Sequence, residues 1–333
     1  MSRLRFRRGI AVLGAAVALA ATAVAPTQAA PGGSGAPGSP GARAQASLEW
    51  VALGDSYTAG VIQASGDEFE TPRDGCARTT GSYPEVVRRD LGSLVDLRNV
   101  SCGAAQIQHI ALEEQEPLGR PQPLLGPDPD APFPKVAPQL DAVSPATDLI
   151  TVGIGGNSAG FGPVLKRCVE LGLAVGNNGA PCEEELGATL PATLAKVRRD
   201  YDAMLTAIHA RAPFARVLTV GYPHVVPEDS TRCTWGDLRE FASITHGDLT
   251  WARTDLLEPL NRIISEVTAA HGDTFVDVYA GGEDHSVCDR TGGRNWVDGV
   301  YTSLVPAVPA LVHPNARGHE HVAQRLEDAI LAG

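Results

Sequence analysis

The sequence predicts an α/β fold in which a mostly parallel sheet of about five strands is covered by helices on both faces. Two observations carry the prediction. Short apolar runs of strand length alternate along the chain with segments of helical period. Several of the runs end on glycine, and three strand ends carry polar residues of the kinds that do chemistry. Open α/β sheets place their active groups beyond the carboxyl ends of their strands.

In chain order, residues 48–53 (LEWVAL) form a short apolar run stopped by Gly54, a buried strand. Residues 83–91 have helical spacing, and residues 94–100 are a second strand. Residues 114–138 are proline-rich and make a long loop of the sort that often serves as a lip or lid. Within it, Leu124 and Leu125 are either an apolar lip or ordinary core contacts. Residues 148–154 (DLITVGI) are the third strand, running into Gly155-Gly156-Asn157. Residues 190–211 alternate charged and apolar residues at helical period. Residues 216–220 are the fourth strand, closed by Gly221-Tyr222-Pro223. Residues 249–271 are a long helix with Leu256, Leu257, Leu260, Ile263, Ile264 and Val267 on one side. Residues 275–279 are the fifth strand and residues 316–331 a terminal helix.

The chain has 333 residues, and its ends differ in kind. Residues 1–29 hold Arg3, Arg5, Arg7 and Arg8, an apolar run over 10–25, and Thr27-Gln28-Ala29. That is the order of a secretory signal peptide, and it implies an extracellular product. The apolar run is short for a membrane span, which takes about 20 residues, so no stable membrane anchor is expected. A retained N-terminal anchor is the alternative, and the Arg7-Arg8 pair leaves twin-arginine export open. Residues 30–47 are rich in Gly, Pro, Ala and Ser and read as a flexible linker. Residues 48–331 are then one folded domain, of ordinary size for an α/β fold.

The formal net charge is −12, and the first 29 residues hold four arginines and no acid, so the remainder is more acidic still. Such a surface repels nucleic acid and anionic membranes, whose binding depends on Lys and Arg neutralising phosphates. The six cysteines, Cys76, Cys102, Cys168, Cys182, Cys233 and Cys288, behind an export signal suggest three disulfides. Fifteen pairings are possible. Zinc is the rival use, but there is no Cys-x-x-Cys pair and the spacing is irregular, so no metal is expected.

Four blocks could carry chemistry. Gly54-Asp55-Ser56-Tyr57 follows the first strand directly, on a turn that would expose the serine oxygen. A serine needs a base to become a nucleophile; the alternative is a plain turn capped by Asp55 or Ser56. Gly103, past the second strand, would let backbone approach a substrate, or is a turn glycine. Asn157, past the third strand, could donate its amide to a developing oxyanion, or cap the next helix. His313 stands just ahead of Pro314, which can start the terminal helix.

In this order, Ser56, Gly103, Asn157 and His313 resemble the four blocks of the SGNH, or GDSL-type, hydrolase family. The resemblance spans nearly the whole folded region. It is closest to the secreted actinobacterial lipases and esterases, through Cys76, Arg78, Ser82-Tyr83-Pro84 and Pro138-Gln139-Leu140-Asp141. It implies a flavodoxin-like three-layer α/β/α sandwich and hydrolysis of carboxylic, fatty-acyl esters with no metal or cofactor. Ser56 would be the nucleophile and His313 the general base, with an acyl-enzyme between. The Ser56 N–H, the Gly103 N–H and the Asn157 amide would hold the oxyanion. The disulfides implied are Cys76–Cys102, Cys168–Cys182 and Cys233–Cys288. The partner expected is a small-molecule or lipid ester, and the state expected is a monomer.

Two positions depart from the pattern. Many members have Asp three residues before the histidine, where this chain has Ala310. A main-chain carbonyl near Ala310 is then expected to orient the His313 ring, with Asp298 as the other candidate. Ser158 also stands where the third block usually has Asp. His319 and His321 read as surface residues of the terminal helix.

Residues 156–160 also match G-x-S-x-G, which would make Ser158 the nucleophile of an α/β-hydrolase, with Asp277 and His313. No HGGG-like segment precedes it, too few strands come before it, and the Ser56 block is left unexplained. The other class open is a secreted binding module that kept the scaffold and lost turnover, a reading that Ala310 keeps alive.

Overall fold

The computed structural model describes residues 47–122 and 126–333. The predicted signal peptide, the linker up to residue 46, and Leu124 and Leu125 lie outside the described residues. The elements, in chain order, begin with β1 (Leu48–Gly54), α1 (Ser56–Ala59), α2 (Tyr83–Leu91), β2 (Val95–Asn99), α3 (Gln108–Ala111) and β3 (Leu149–Gly153). They continue with α4 (Phe161–Val175), α5 (Pro181–Leu186), α6 (Leu190–Arg211), β4 (Arg216–Val220), α7 (His246–Trp251), α8 (Glu258–His271) and β5 (Thr274–Val276). The chain closes with β6 (Tyr301–Leu304), β7 (Ala307–Pro309) and α9 (Ala316–Leu331).

Strands β1 to β5 form one parallel sheet in the order β2-β1-β3-β4-β5, the flavodoxin-like order. Period-two alternation divides β1 between two cores. Trp50 and Ala52 of β1 pack with Tyr83 and Val87 of α2 and Val322 and Leu326 of α9. Val51 and Leu53 join Tyr201, Leu205 and Ile208 of α6 and Leu260 and Ile264 of α8. Both faces are therefore covered, giving a three-layer α/β/α sandwich, and this is why the strands read as near-continuous apolar runs. The order changes direction between β1 and β3, where Gly54 lies opposite Gly153.

Four details differ from the sequence reading. The helix expected over 249–271 is α7 and α8 joined by wider, π-type turns over Ala252–Leu257. Pro259 follows these turns; it donates no N–H, and its ring crowds the carbonyl four residues back. The fifth strand stops at Val276, because the Asp277 carboxylate accepts from the Tyr279 and Ala280 N–H groups and turns the chain. Helices α4 and α5 and the antiparallel β6–β7 pair were not legible, since Gly162-Pro163 and Val305-Pro306 obscure their periods. Helix α9 starts at Ala316 rather than at Pro314, because Asn315 caps it, accepting from the Arg317 and Gly318 N–H groups.

His319 corrects the reading of a surface residue. It is fully buried where α9 packs on α2, and its Nδ1 accepts the Tyr83 N–H at 3.1 Å. Gly60 lies against it: a Cβ there would stand 3.2 Å from Nε2. His321 is half-buried and stacked on Trp296, with ring centroids 4.1 Å apart. Burial, helped by nearby His313, pushes the His319 pKa down to about 3. Between that value and the 6.5 of a free histidine, the unfolded chain binds the extra proton, so this contribution to stability is intact above pH 6.5 and is lost as pH falls. The variant His319→Gln, whose side-chain oxygen can still accept from Tyr83, is expected to flatten the decline in stability between pH 6.5 and 4 by roughly 3 kcal/mol. Denaturant titrations at several pH values measure this; parallel pH profiles for the two proteins would refute it.

Candidate active site

The site is built where β1 and β3 leave the sheet. A Cβ on Gly54 would stand 2.2 Å from Thr58 Oγ1 and 2.6 Å from the Gly153 carbonyl, so only glycine lets the two strand ends run this close. Gln139 holds the same residue at both backbone groups: its Oε1 accepts the Gly54 N–H at 2.7 Å and its Nε2 donates to the Gly54 carbonyl at 2.9 Å. Asp55 caps the short α1, accepting the Tyr57 N–H at 2.9 Å. Its other oxygen accepts the Tyr222 hydroxyl at 2.6 Å, and that hydroxyl accepts the Gly156 N–H at 2.6 Å. Three strand ends are joined through one phenol. Burial raises the Asp55 pKa to about 7, against the hydrogen bonds from Tyr222 and Tyr57 that lower it.

Ser56 opens α1, and its Oγ lies 2.8 Å from His313 Nε2. His313 is delivered by the segment leaving β7. Its Nδ1 is 2.9 Å from the carbonyls of both Ala310 and Leu311. Two carbonyl acceptors put the proton on Nδ1 and leave the Nε2 lone pair for the serine hydroxyl. Burial lowers the imidazole pKa to about 4, although the two carbonyls raise it. At neutral pH the ring is uncharged and able to take a proton.

Asp298, the other candidate to orient the ring, does not touch it. Its carboxylate accepts from Asn295, Thr302 and Asn315, and its backbone N–H donates to the His313 carbonyl at 2.9 Å. Ser158 is engaged elsewhere, its Oγ accepting the Ile107 N–H at 2.9 Å. Asp277 is occupied by the turn after β5. The G-x-S-x-G reading therefore finds neither its base nor its acid.

Asn157 faces Ser56 from the β3 side, one amide hydrogen donating to the Ala105 carbonyl at 2.9 Å and the other without an acceptor among the described residues. The Ser56 N–H likewise has no acceptor among them. Gly103 differs from its expected part, because its N–H already donates to the Cys76 carbonyl at 3.0 Å. The Cys76–Cys102 disulfide brings those two segments together. The other bridges join Cys168 to Cys182 and Cys233 to Cys288. Among the described residues, the one gathering of metal-type ligands is Cys233, Glu240 and Cys288, and its two sulfurs are spent on a disulfide.

Two cavities meet at Ser56, Asn157 and His313. One is an apolar slot of about 80 Å³ running between Phe161, Leu165, Val225 and Leu257. The other is an open groove of about 880 Å³ beside Val61, Ala104, Pro117, Leu118 and Phe133. Tyr57, Tyr222 and Gln139 support this geometry but were not singled out as site residues from the sequence. Tyr57 and Tyr222 had only their places after strand ends as a signal.

Comparison with known proteins agrees with this architecture. The chain is 31% identical over 295 residues to Lipase 2 of Streptomyces coelicolor, covering 87% of this chain and 88% of that one. It is 30% identical over 323 residues to an esterase of Streptomyces scabiei, covering 89% and 90%. The crystal structure of phospholipase A1 from Streptomyces albidoflavus superposes with a TM-score of 0.62 at 24% identity, over 85% of this chain and 99% of that one, and shares the fold. The pattern of the GDSL-like lipase/acylhydrolase family matches residues 52–321, from the second half of β1 into α9, so the segments that carry Ser56, Asn157 and His313 all fall within it. The chain belongs to that family, with the SGNH fold, and is a carboxylic ester hydrolase.

Proposed function

We propose that the protein is an exported lipase or esterase that cleaves fatty-acyl esters through an acyl-enzyme on Ser56. The observation that carries this reading is the 2.8 Å contact between Ser56 Oγ and the Nε2 of a neutral His313, open to the long groove. His313 takes the Ser56 proton as Oγ attacks the ester carbonyl, then gives it to the leaving alcohol. A water enters and loses a proton to His313 as it adds to the acyl carbonyl. The bond to Ser56 Oγ then breaks as His313 returns that proton to Oγ, freeing the carboxylic acid and the serine hydroxyl. The Ser56 N–H and the free hydrogen of the Asn157 amide take the oxyanion. Gly103 contributes only by sharing the hydrogen it donates to Cys76. The groove has room for a long acyl chain or a lipid alcohol. Export is supported by the leader sequence and by three disulfides, which persist in oxidising compartments. Among the described residues, no helix is long and apolar enough to cross a membrane.

The test is covalent labelling with a fluorophosphonate followed by peptide mapping, beside hydrolysis of p-nitrophenyl esters from acetate to palmitate. The label is expected on Ser56, with turnover extending to long chains. A label on Ser158 would overturn the assignment of the nucleophile. No label and no turnover on any ester would favour a binding role instead.

A further inference from the structure

We propose that Tyr57 is a positioning residue for the base: its hydroxyl holds the strained turn whose carbonyls orient His313, a role that the side chain at position 310 cannot fill. The inference rests on the Ser56–His313 reading above. Leu311 and Val312 are consecutive left-handed residues, with φ of 50° and 61°. Neither is glycine and Val312 is β-branched, so both occupy a conformation such residues rarely adopt. Strain of this kind persists only where surrounding contacts over-determine it.

Those contacts are visible. The Val312 N–H donates to the Gly299 carbonyl at 2.8 Å, and the Ala310 and Leu311 N–H groups both donate to Val300, at 2.9 and 3.1 Å. On the other side, the Tyr57 hydroxyl donates to the Val312 carbonyl at 2.5 Å. The left-handed pair turns the chain back on itself, so that the carbonyls of Ala310 and Leu311 both reach His313 Nδ1. The Tyr57 ring also lies against the imidazole, with centroids 5.0 Å apart, and is braced edge-on by Tyr222 at 5.2 Å. Burial and the charge of Asp55 keep the Tyr57 hydroxyl protonated, as a donor must be. Tyr57 directly follows Ser56, so the nucleophile and the clamp on its base sit on one turn and keep one geometry.

The experiment pairs Tyr57→Phe, which keeps the ring and removes the donor, with Val312→Gly, which adopts positive φ without strain. On a soluble ester, Tyr57→Phe is expected to lower kcat about tenfold with KM within about twofold, the size of one hydrogen bond acting in the transition state. In the Val312→Gly background the same substitution is expected to cost less than about threefold, because the strain at the residue whose carbonyl Tyr57 holds is gone. The downfield proton resonance of His313 Nδ1–H should be present in the parent and lost or broadened in Tyr57→Phe. An unchanged kcat and resonance in Tyr57→Phe, or an equal loss in both backgrounds, overturns the inference. Ser56→Ala measured alongside separates the two failures. If it keeps the parent kcat, the Ser56–His313 reading falls and takes this inference with it. If it is inert while Tyr57→Phe is unaffected, only the role of Tyr57 falls.

Discussion

Ser56→Ala and His313→Ala are each expected to lower kcat by roughly 10⁶-fold, the loss typical when a serine nucleophile or its base is removed. The two losses should not add, since under the proposed mechanism each variant already lacks one member of the pair that performs the attack. The KM of a soluble ester should move little, because most of the slot and groove is lined by other residues. Ser158→Ala should stay within about tenfold of the parent, as its hydroxyl only receives the Ile107 N–H. The acid limb of kcat/KM should lie near pH 4, where His313 becomes protonated, with a plateau above it. Steady-state kinetics on p-nitrophenyl butyrate from pH 3.5 to 8 would check all of this. An inert Ser158→Ala beside an active Ser56→Ala would move the nucleophile to the other turn.

Reduction of the three disulfides should have the largest effect on stability. They close segments of 14, 26 and 55 residues. The loop-entropy relation assigns bridges of these spans about 3, 3.5 and 4 kcal/mol. Together these rival the whole stability of an ordinary domain, about 5–15 kcal/mol. The fully reduced protein is therefore expected to lose its cooperative thermal transition or to melt at least 20 °C lower. Losing Cys76–Cys102 alone should also cut activity, since it joins the segment carrying Gly103 to the one after α1. Calorimetry after thiol reduction, with free thiols counted, would decide; an unchanged melting curve with six free thiols would contradict the argument.

The sheet was legible because its code is local. A buried parallel strand must be apolar on both faces, so residues 48–53 and 148–154 stand out without knowledge of their neighbours. The polar residues after those strands were legible for the same reason, since strand ends are where an open α/β sheet exposes its chemistry. The β6–β7 pair was not: three- and four-residue strands around a proline carry too few positions for a period to emerge. His319 was misjudged because its place on a helix says nothing of which helix will lie against it. Its burial depends on α2, which is 236 residues away along the chain.

By itself, the sequence determined the α/β class and the order of the strands along the chain; the pairing of a Ser56 turn with a histidine before the last helix came from the resemblance to the SGNH blocks. Because Ala310 has no polar side chain, a main-chain carbonyl near it was already the expected holder of that histidine. Only the tertiary structure decided that the carbonyls of both Ala310 and Leu311 reach the ring, and how they are aimed. Their aim comes from two left-handed residues, and that conformation is enforced by Gly299, Val300 and Tyr57. Likewise, the sequence offered Gly103 as a donor, but whether an N–H is free depends on what folds against it, and here the Cys76 carbonyl does. Residue types show which groups are present. Which of them remain unpaired at the site follows from contacts between segments far apart in the chain.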